Sequence, residues 1–317
     1  MITIGDFTEL NAAPYARLPD ALRWRGAPSP WARMTRPGVG LHSFLEAATF
    51  LDDDRLMLCD VACGRILQID RTGAWTTLLT YGGAPHAARP WGRSDLVILD
   101  YDHGLMLWSP GNGQPRPWIA GAAGAPFHGL SDAVLGPDGA LWFTDSGRSS
   151  LAAPIGGLYR LDANAAGEAG LRLVLDGIPY PNGVAVAADG RSVLVAVTRA
   201  NAVWRISLPL PDDGPAMAGV FLPLSGGLGP DGLAVEPGSG RIALAQAQAG
   251  RAYVFDVMGD PLFVIRTPGR WTTSVAFGPD DALYVVEAEE GAVWRADLPP
   301  SAPRPPPTIS ADPEERP

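Results

Sequence analysis

Three oxygen-bearing residues, Glu46, Asn182 and Asp231, stand at equivalent places in a motif that recurs along the chain. Two carboxylates and one amide oxygen form a donor set that suits Ca²⁺, Mg²⁺ or Mn²⁺, and carboxylates also bind Zn²⁺. Three protein ligands leave positions on the ion open for water or a substrate, as a catalytic metal requires. The sequence therefore predicts a site for one divalent metal ion, with Ca²⁺ as the first choice.

A second interpretation of two of these residues stays open. Asn182 and Asp231 each precede a glycine, and Asn-Gly and Asp-Gly pairs are common in turns. Each residue alone is explained as well by a turn as by a ligand. Their equivalence in the repeat, together with Glu46, favours the metal site.

An internal repeat shows which elements must position these donors. Five fragments share a polar start, an alternating apolar strand, an Asp/Gly/Pro turn and a second strand: EAATFLDDDRLMLCDV, SDAVLGPDGALWFTDS, PNGVAVAADGRSVLVAV, PDGLAVEPGSGRIALAQ and TTSVAFGPDDALYVVEA. This pattern is typical of a β-hairpin. A third apolar strand follows in phrases such as GGLYRLD, NAVWRIS and GAVWRAD.

The repeat has six units. Their equivalent first positions are Glu46, His86, Ser131, Asn182, Asp231 and Thr273, at intervals of 40, 45, 51, 49 and 42 residues. Intervals of this length predict an all-β fold, a six-bladed β-propeller with four-stranded antiparallel blades around a central tunnel. Because the innermost strand of each blade runs along the tunnel, we expect the six positions to meet at one tunnel mouth.

The ends of the chain differ from the repeats. Residues 1–40 show no sustained periodicity, and we expect them to wrap the propeller of residues 41–298. The run PPSAPRPPPTISADPEERP, residues 299–317, is Pro-rich and polar, which predicts a disordered tail.

Composition excludes several function classes. The net charge of −10 argues against nucleic-acid and anionic-membrane partners, and a small-molecule ligand fits better. The chain contains no lysine, which rules out Schiff-base chemistry on a lysine side chain. Its first residues lack the pattern of a secretory signal, so we expect a cytoplasmic protein. Cys59 and Cys63 lack a second pair of zinc ligands and are expected to be reduced thiols.

The phrases PNGVAVAADG and PDGLAVEP, with a glutamate opening the first repeat, resemble the SMP-30/gluconolactonase/luciferin-regenerating-enzyme family over about residues 40–298. The resemblance implies a six-bladed propeller that holds one divalent metal through Glu46, Asn182 and Asp231 and hydrolyses lactones. It also implies that Ser131, in the third blade, touches the substrate.

The chain departs from the family pattern in two places. Ala47 and Ala48 stand where the family usually has Gly-Pro after the glutamate. The third repeat reads Ser131-Asp132 instead of Asn-Asp and carries Gly129 where members that act on sugar lactones tend to carry Arg. We therefore expect a less polar lactone or ester as the substrate.

The expected mechanism uses the metal to polarise the lactone carbonyl and to bind the attacking water. Asp231 is our first choice as the general base, with His86 as its rival. The residues expected to bind the substrate are Ser131, His128, Thr273, Trp271 and Phe127.

Two other function classes stay open. One is a different reaction on the same scaffold, as in strictosidine-synthase-like or arylesterase-type propellers. The other is a non-catalytic, metal-stabilised binding propeller, whose partner would contact wide connections such as residues 209–219.

Overall fold

The computed structural model describes residues 7–163, 167–211 and 214–300, and these residues form a six-bladed β-propeller as predicted. The predicted tail lies almost wholly outside the described residues, which end at Pro300. No helix in the described part of the chain is long and apolar enough to cross a membrane.

Two strands of the first forty residues belong to the blades. They are β1 (Thr8–Leu10) and β2 (Ala13–Arg17). The segment that we expected to wrap the propeller is therefore partly built into it. It continues through a 3₁₀ turn at Asp20–Leu22 to the helix α1 (Pro30–Thr35), which is capped by Ser29 and begins with a proline.

The strands of the six blades follow in chain order. Blade one contains β3 (Leu45–Phe50), β4 (Leu56–Asp60), β5 (Arg65–Ile69) and β6 (Trp75–Thr80). Blade two contains β7 (Pro85–Trp91), β8 (Asp95–Asp100), β9 (Gly104–Trp108) and β10 (Arg116–Ile119). A small hairpin, β11 (Gly121–Ala122) and β12 (Ala125–Pro126), precedes blade three. Blade three contains β13 (Leu130–Leu135), β14 (Leu141–Asp145), β15 (Gly156–Leu161) and β16 (Leu171–Ile178).

Blade four contains β17 (Pro181–Val186), β18 (Ser192–Val197), β19 (Ala202–Ser207) and β20 (Ala218–Pro223). Blade five contains β21 (Gly229–Val235), β22 (Ile242–Ala247), β23 (Arg251–Phe255) and β24 (Pro261–Arg266). Blade six contains β25 (Thr272–Phe277), β26 (Ala282–Glu287) and β27 (Ala292–Asp297). Further 3₁₀ turns lie at Val61–Cys63, Glu168–Gly170 and Thr198–Ala200.

The N-terminal strands close the ring. Strand β2 pairs antiparallel with β27 and supplies the fourth strand of blade six. Strand β1 pairs parallel with β24 and covers the outer edge of blade five. Both edges thereby gain backbone hydrogen bonds that an open edge strand would lack.

The core lies between neighbouring blades, where the middle strands are buried on both faces. All five residues of β5 and all six of β18 are buried. Such strands read as continuous apolar runs, which is why the second strand of each repeat is rich in Leu and Val. The innermost strands β3, β7, β13, β17, β21 and β25 keep their first residues at one end of the tunnel, where the candidate site lies.

Candidate functional site

The register of the innermost strands brings the six predicted positions to one level. Each follows a residue that pairs with the end of the second strand: Leu45 with Asp60, Pro85 with Asp100, Leu130 with Asp145, Pro181 with Val197, Pro230 with Gln246 and Thr272 with Glu287. Glu46, His86, Ser131, Asn182, Asp231 and Thr273 are therefore structurally equivalent, and they form the donor ring at the tunnel mouth.

Buried carboxylates anchor the chain as it enters four of these strands. Asp60 accepts the Phe44 N–H at 2.9 Å and Asp100 accepts the Ala84 N–H at 2.8 Å. Asp145 accepts the Gly129 N–H at 2.8 Å, and Glu287 accepts the Trp271 N–H at 3.0 Å. Charge-assisted hydrogen bonds of this kind hold the backbone just before the donor ring. Their sequence signals are the acidic ends of LCD, ILD, FTD and VVE, which we did not predict to have this role.

Blades four and five have Val197 and Gln246 at this place instead of a carboxylate, and Thr198 contacts both of their strand entries. Its N–H donates to the Tyr180 carbonyl at 3.0 Å, and its hydroxyl donates to the Pro230 carbonyl at 2.7 Å. One threonine thereby joins the entries to the strands that carry Asn182 and Asp231.

The glycines after Asn182 and Asp231 permit close approach of neighbouring strands. A Cβ at Gly183 would lie 2.4 Å from the Asp231 carbonyl oxygen, and a Cβ at Gly232 would lie 2.7 Å from the Thr273 carbonyl oxygen. Both glycines lie inside strands, so the interpretation of Asn-Gly and Asp-Gly as turns is wrong. Their small size lets the strands of blades four, five and six converge on the mouth.

Hydrogen bonds orient the polar side chains of the ring. The Ser131 hydroxyl donates to Oδ1 of Asn182 at 2.7 Å, which leaves that oxygen a second lone pair for a cation. The Asn182 amide donates to the Thr198 hydroxyl at 3.4 Å. The Thr273 hydroxyl donates to the Leu45 carbonyl at 2.6 Å and is fully buried, so it joins the first and sixth blades.

The carboxylates of the donor ring favour the binding of a cation. Burial raises the pKa of Glu46 well above its ordinary value, and the charges of Asp231 and then Asp132 raise it further. Burial and Asp132 likewise raise the pKa of Asp231, against a hydrogen bond from Asn182. Arg89 pairs with Asp132 at 2.7 Å and balances that carboxylate. When ionised, Glu46 and Asp231 leave a charge of −2 without an ion-pair partner among the described residues.

This donor set fits a divalent cation, because two positive charges balance the two carboxylates and the Asn182 oxygen adds a hard neutral ligand. Within residues 7–163, 167–211 and 214–300, no group of three or more His, Cys, Asp or Glu side chains is placed to hold a metal ion. Glu46 and Asp231 supply only two such residues, and the third donor of the set is an amide.

His86 lies in an aromatic pocket beside the ring. Its imidazole is 5.6 Å from the ring of Trp31 and 5.5 Å from that of Tyr101, and its Nε2 atom is buried without a hydrogen-bond partner in the described structure. Burial lowers the pKa of His86 to about 4, although Asp100 opposes the shift. His86 is therefore neutral near pH 7.

The side chains of Trp31, Phe44 and Trp271 form an aromatic cover over this side of the tunnel mouth. Trp31 of α1 packs against Phe44 at 5.2 Å, and Phe44 packs against Trp271 at 5.8 Å. The Arg36 guanidinium lies 4.0 Å from the Trp271 ring and pairs with Glu289. The structure thus places Trp271 at the mouth, and it adds Trp31, which the aperiodic N-terminal sequence did not reveal.

Two other predicted substrate residues lie differently. The Phe127 ring packs against Phe143 at 5.7 Å and Tyr159 at 5.3 Å, which favours a structural role in blade three. His128 is exposed, and its N–H donates to Asp145 at 2.9 Å. Neither is a member of the donor ring.

Known proteins share this architecture. Residues 45–289 match the SMP-30/gluconolactonase/LRE-like region. The chain is 28% identical over 251 residues to the lactonase drp35 of Staphylococcus haemolyticus, covering 76% of this chain and 74% of that protein.

Solved structures with the same fold include a calcium-binding regucalcin from Agrobacterium tumefaciens, with a TM-score of 0.70 and 22% identity, covering 91% of this chain and 95% of that one. A gluconolactonase from Xanthomonas campestris has a TM-score of 0.69 and 20% identity, covering 93% of this chain and 98% of that one. At these identities the two structures establish the fold.

Proposed function

Because the chain belongs to the SMP-30/gluconolactonase/LRE-like family, we propose that it is a metal-dependent hydrolase that opens a lactone ring at the tunnel mouth. The observation that carries this proposal is a pair of carboxylates beside the Asn182 amide, the half-buried Glu46 and the buried Asp231. Neither has an ion-pair partner among the described residues. The names of the related lactonase and gluconolactonase support the same reaction class.

In this proposal Glu46, Asn182 and Asp231 hold one divalent cation, with Ca²⁺ as the first choice. A cation bound there would polarise the ester carbonyl as a Lewis acid. The related regucalcin is described as calcium-binding, which supports the choice of Ca²⁺. Ser131 holds the Asn182 oxygen in place by its hydrogen bond of 2.7 Å.

Asp231 is the better candidate for the general base. A carboxylate ligand that binds a cation through one oxygen keeps its second oxygen free to accept a proton from a nearby water. The pKa of His86, lowered to about 4, makes its imidazole a weaker base. Because its Nε2 is buried and its ring packs against Trp31, we propose that neutral His86 supports the aromatic pocket and does not act as the base.

The third blade explains why a sugar lactone is not the expected substrate. A Cβ at Gly129 would lie 2.5 Å from the Tyr101 ring, so the arginine that sugar-lactone members tend to carry there has no room while Tyr101 keeps its place. The Tyr101 ring therefore lies where those members carry a positively charged guanidinium group. We therefore propose a less polar lactone than a sugar acid as the substrate.

The test is acid release at constant pH from D-glucono-δ-lactone, δ-valerolactone and a benzo-fused lactone, with chelated protein and after addition of Ca²⁺, Mn²⁺, Zn²⁺ or Mg²⁺. We expect turnover that chelation abolishes and metal restores, and faster turnover of the less polar lactones. Asp231→Asn removes the base and is expected to lower turnover about 10²- to 10⁴-fold. Asp189→Asn is the matched control, because Asp189 lies in an exposed turn.

Two results would contradict the proposal. Full turnover by chelated protein would exclude a metal-dependent reaction. Metal binding without turnover of any lactone would favour the non-catalytic binding propeller.

A further inference from the structure

Tyr180 occupies an unusual backbone position directly before the strand that carries Asn182. Its φ is 64°, in the left-handed region that bulky side chains rarely adopt. The equivalent residues of blades three and five are Gly129, with φ 145°, and Gly229, with φ 138°. At three of the six strand entries the backbone therefore takes a positive φ. Two of these residues are glycines, and only blade four has a residue with a side chain there.

Glycine is required at the other two entries because no space exists for a side chain. A Cβ at Gly129 would lie 2.5 Å from the Tyr101 ring, and a Cβ at Gly229 would lie 2.0 Å from the Thr198 carbonyl oxygen. At Tyr180 there is room for an aromatic ring, yet the left-handed backbone costs free energy that a glycine would avoid. The Thr198 N–H, 3.0 Å from the Tyr180 carbonyl oxygen, holds the strained residue in place.

Tyr180 enters blade four two residues before Asn182, at the position that Phe44 and Trp271 hold in blades one and six. The Arg199 guanidinium lies 5.5 Å from the tyrosine ring. Within the described residues no group hydrogen bonds to the phenol hydroxyl. Tyr180 thus carries an uncommitted O–H group next to the strand that holds Asn182.

We propose that Tyr180 is a substrate-contacting residue whose hydroxyl donates a hydrogen bond to the carbonyl oxygen of the lactone. This inference rests on the proposed lactonase function. As water adds to the carbonyl carbon, negative charge develops on that oxygen, and a donor already in place stabilises it more strongly than it stabilises the bound ester. The phenol keeps its proton throughout, so Asp231 remains the base.

The first test compares Tyr180→Phe with the wild-type protein and with Tyr15→Phe. The control also loses one phenol hydroxyl, but that hydroxyl donates to the Asp70 carbonyl at 3.0 Å on the outside of the propeller. With δ-valerolactone and Ca²⁺, Tyr180→Phe is expected to lower kcat about 10²- to 10³-fold with little change in KM. Calorimetric Ca²⁺ affinity and the urea midpoint are expected to match those of the wild type, and Tyr15→Phe is expected to keep wild-type kcat.

The second variant separates the side chain from the backbone. Asparagine tolerates a left-handed φ, so Tyr180→Asn preserves the strand entry without the phenol. It is expected to fold and bind Ca²⁺ but to lose kcat as Tyr180→Phe does. Wild-type kcat in either variant would overturn the assignment of Tyr180 while leaving the lactonase function intact. Wild-type protein that turns over no lactone would overturn both.

Discussion

The aromatic cover makes a quantitative prediction about pH and stability. His86 is buried beneath Trp31, and burial lowers its pKa from the ordinary value of 6.5 to about 4. Between these values the unfolded chain binds a proton at His86 and the folded protein does not. Stability is therefore lost as the pH falls from about 6.5 toward 4. By pH 4.5 the loss amounts to about 2.5 kcal/mol relative to pH 7.5.

The assay is urea unfolding of chelated protein at pH 7.5 and 4.5, for the wild type and His86→Gln. Other titrating groups act on both proteins, so the difference between them isolates His86. We expect the free energy of unfolding of the wild type, relative to His86→Gln, to fall by about 2.5 kcal/mol between the two pH values.

Replacing Trp31 changes this pH dependence in a defined way. Trp31→Ala removes a side chain that is 4% exposed and is expected to lower the free energy of unfolding by about 3–5 kcal/mol at pH 7.5. The substitution also admits water to His86. The same comparison is then made between Trp31→Ala and the double variant Trp31→Ala/His86→Gln, and the change in their stability difference between pH 7.5 and 4.5 is expected to be below about 1 kcal/mol. The milder Trp31→Phe serves where the alanine variant does not fold. Parallel loss of stability in the wild type and His86→Gln would refute the reasoning.

Three further predictions concern the donor ring and the strands that hold it. Ca²⁺ at 100 times its Kd is expected to raise the free energy of unfolding of the wild type by about 2.7 kcal/mol, as measured by thermal unfolding. An equal gain in Glu46→Gln at the same Ca²⁺ concentration would contradict the assignment of Glu46 as a ligand. Gly229→Ala is expected to destabilise by more than about 1 kcal/mol, because φ is 138° and the new Cβ would lie 2.0 Å from the Thr198 carbonyl oxygen. Its matched control is Gly219→Ala, because an added Cβ at Gly219 would meet no heavy atom within 4 Å. Equal urea midpoints for the two alanine variants would contradict this prediction. Glu287→Gln is expected to lower the free energy of unfolding in urea by about 1–3 kcal/mol, because the Glu287 carboxylate accepts the N–H groups of Trp271 at 3.0 Å and Glu290 at 2.7 Å. The control Glu9→Gln, at an exposed position, is expected to change it little.

The sequence was sufficient to predict the propeller, because each repeat carries its own alternating strands and turn residues. The repeat intervals aligned His86 with Asn182, although the second unit is not among the five fragments that share the hairpin pattern, and the strand register confirms this alignment. The propeller predicted to begin at residue 41 nevertheless includes β1 and β2. A single short strand gives no periodicity, so its pairing partner cannot be read from its own residues.

The convergence of the donor ring was predictable because its positions repeat, whereas residues outside the repeat were missed. Glu46, Asn182 and Asp231 share a place in the repeat, so their convergence follows from the fold. Trp31 belongs to an aperiodic segment, and only the folded chain brings it to His86. Tyr180 did leave a signal, a tyrosine where two other blades carry glycine, but its meaning depends on a φ value that the sequence does not show.

The proposed metal-dependent lactonase is tested most directly by titrating Ca²⁺ into chelated protein while δ-valerolactone hydrolysis is followed at constant pH. One cation held by Glu46, Asn182 and Asp231 predicts activity that rises in proportion to added metal and levels off at about one equivalent per chain, with no rise in Asp231→Asn. Activity that is already complete in the chelated protein, or that rises equally in Asp231→Asn, would contradict the proposed site.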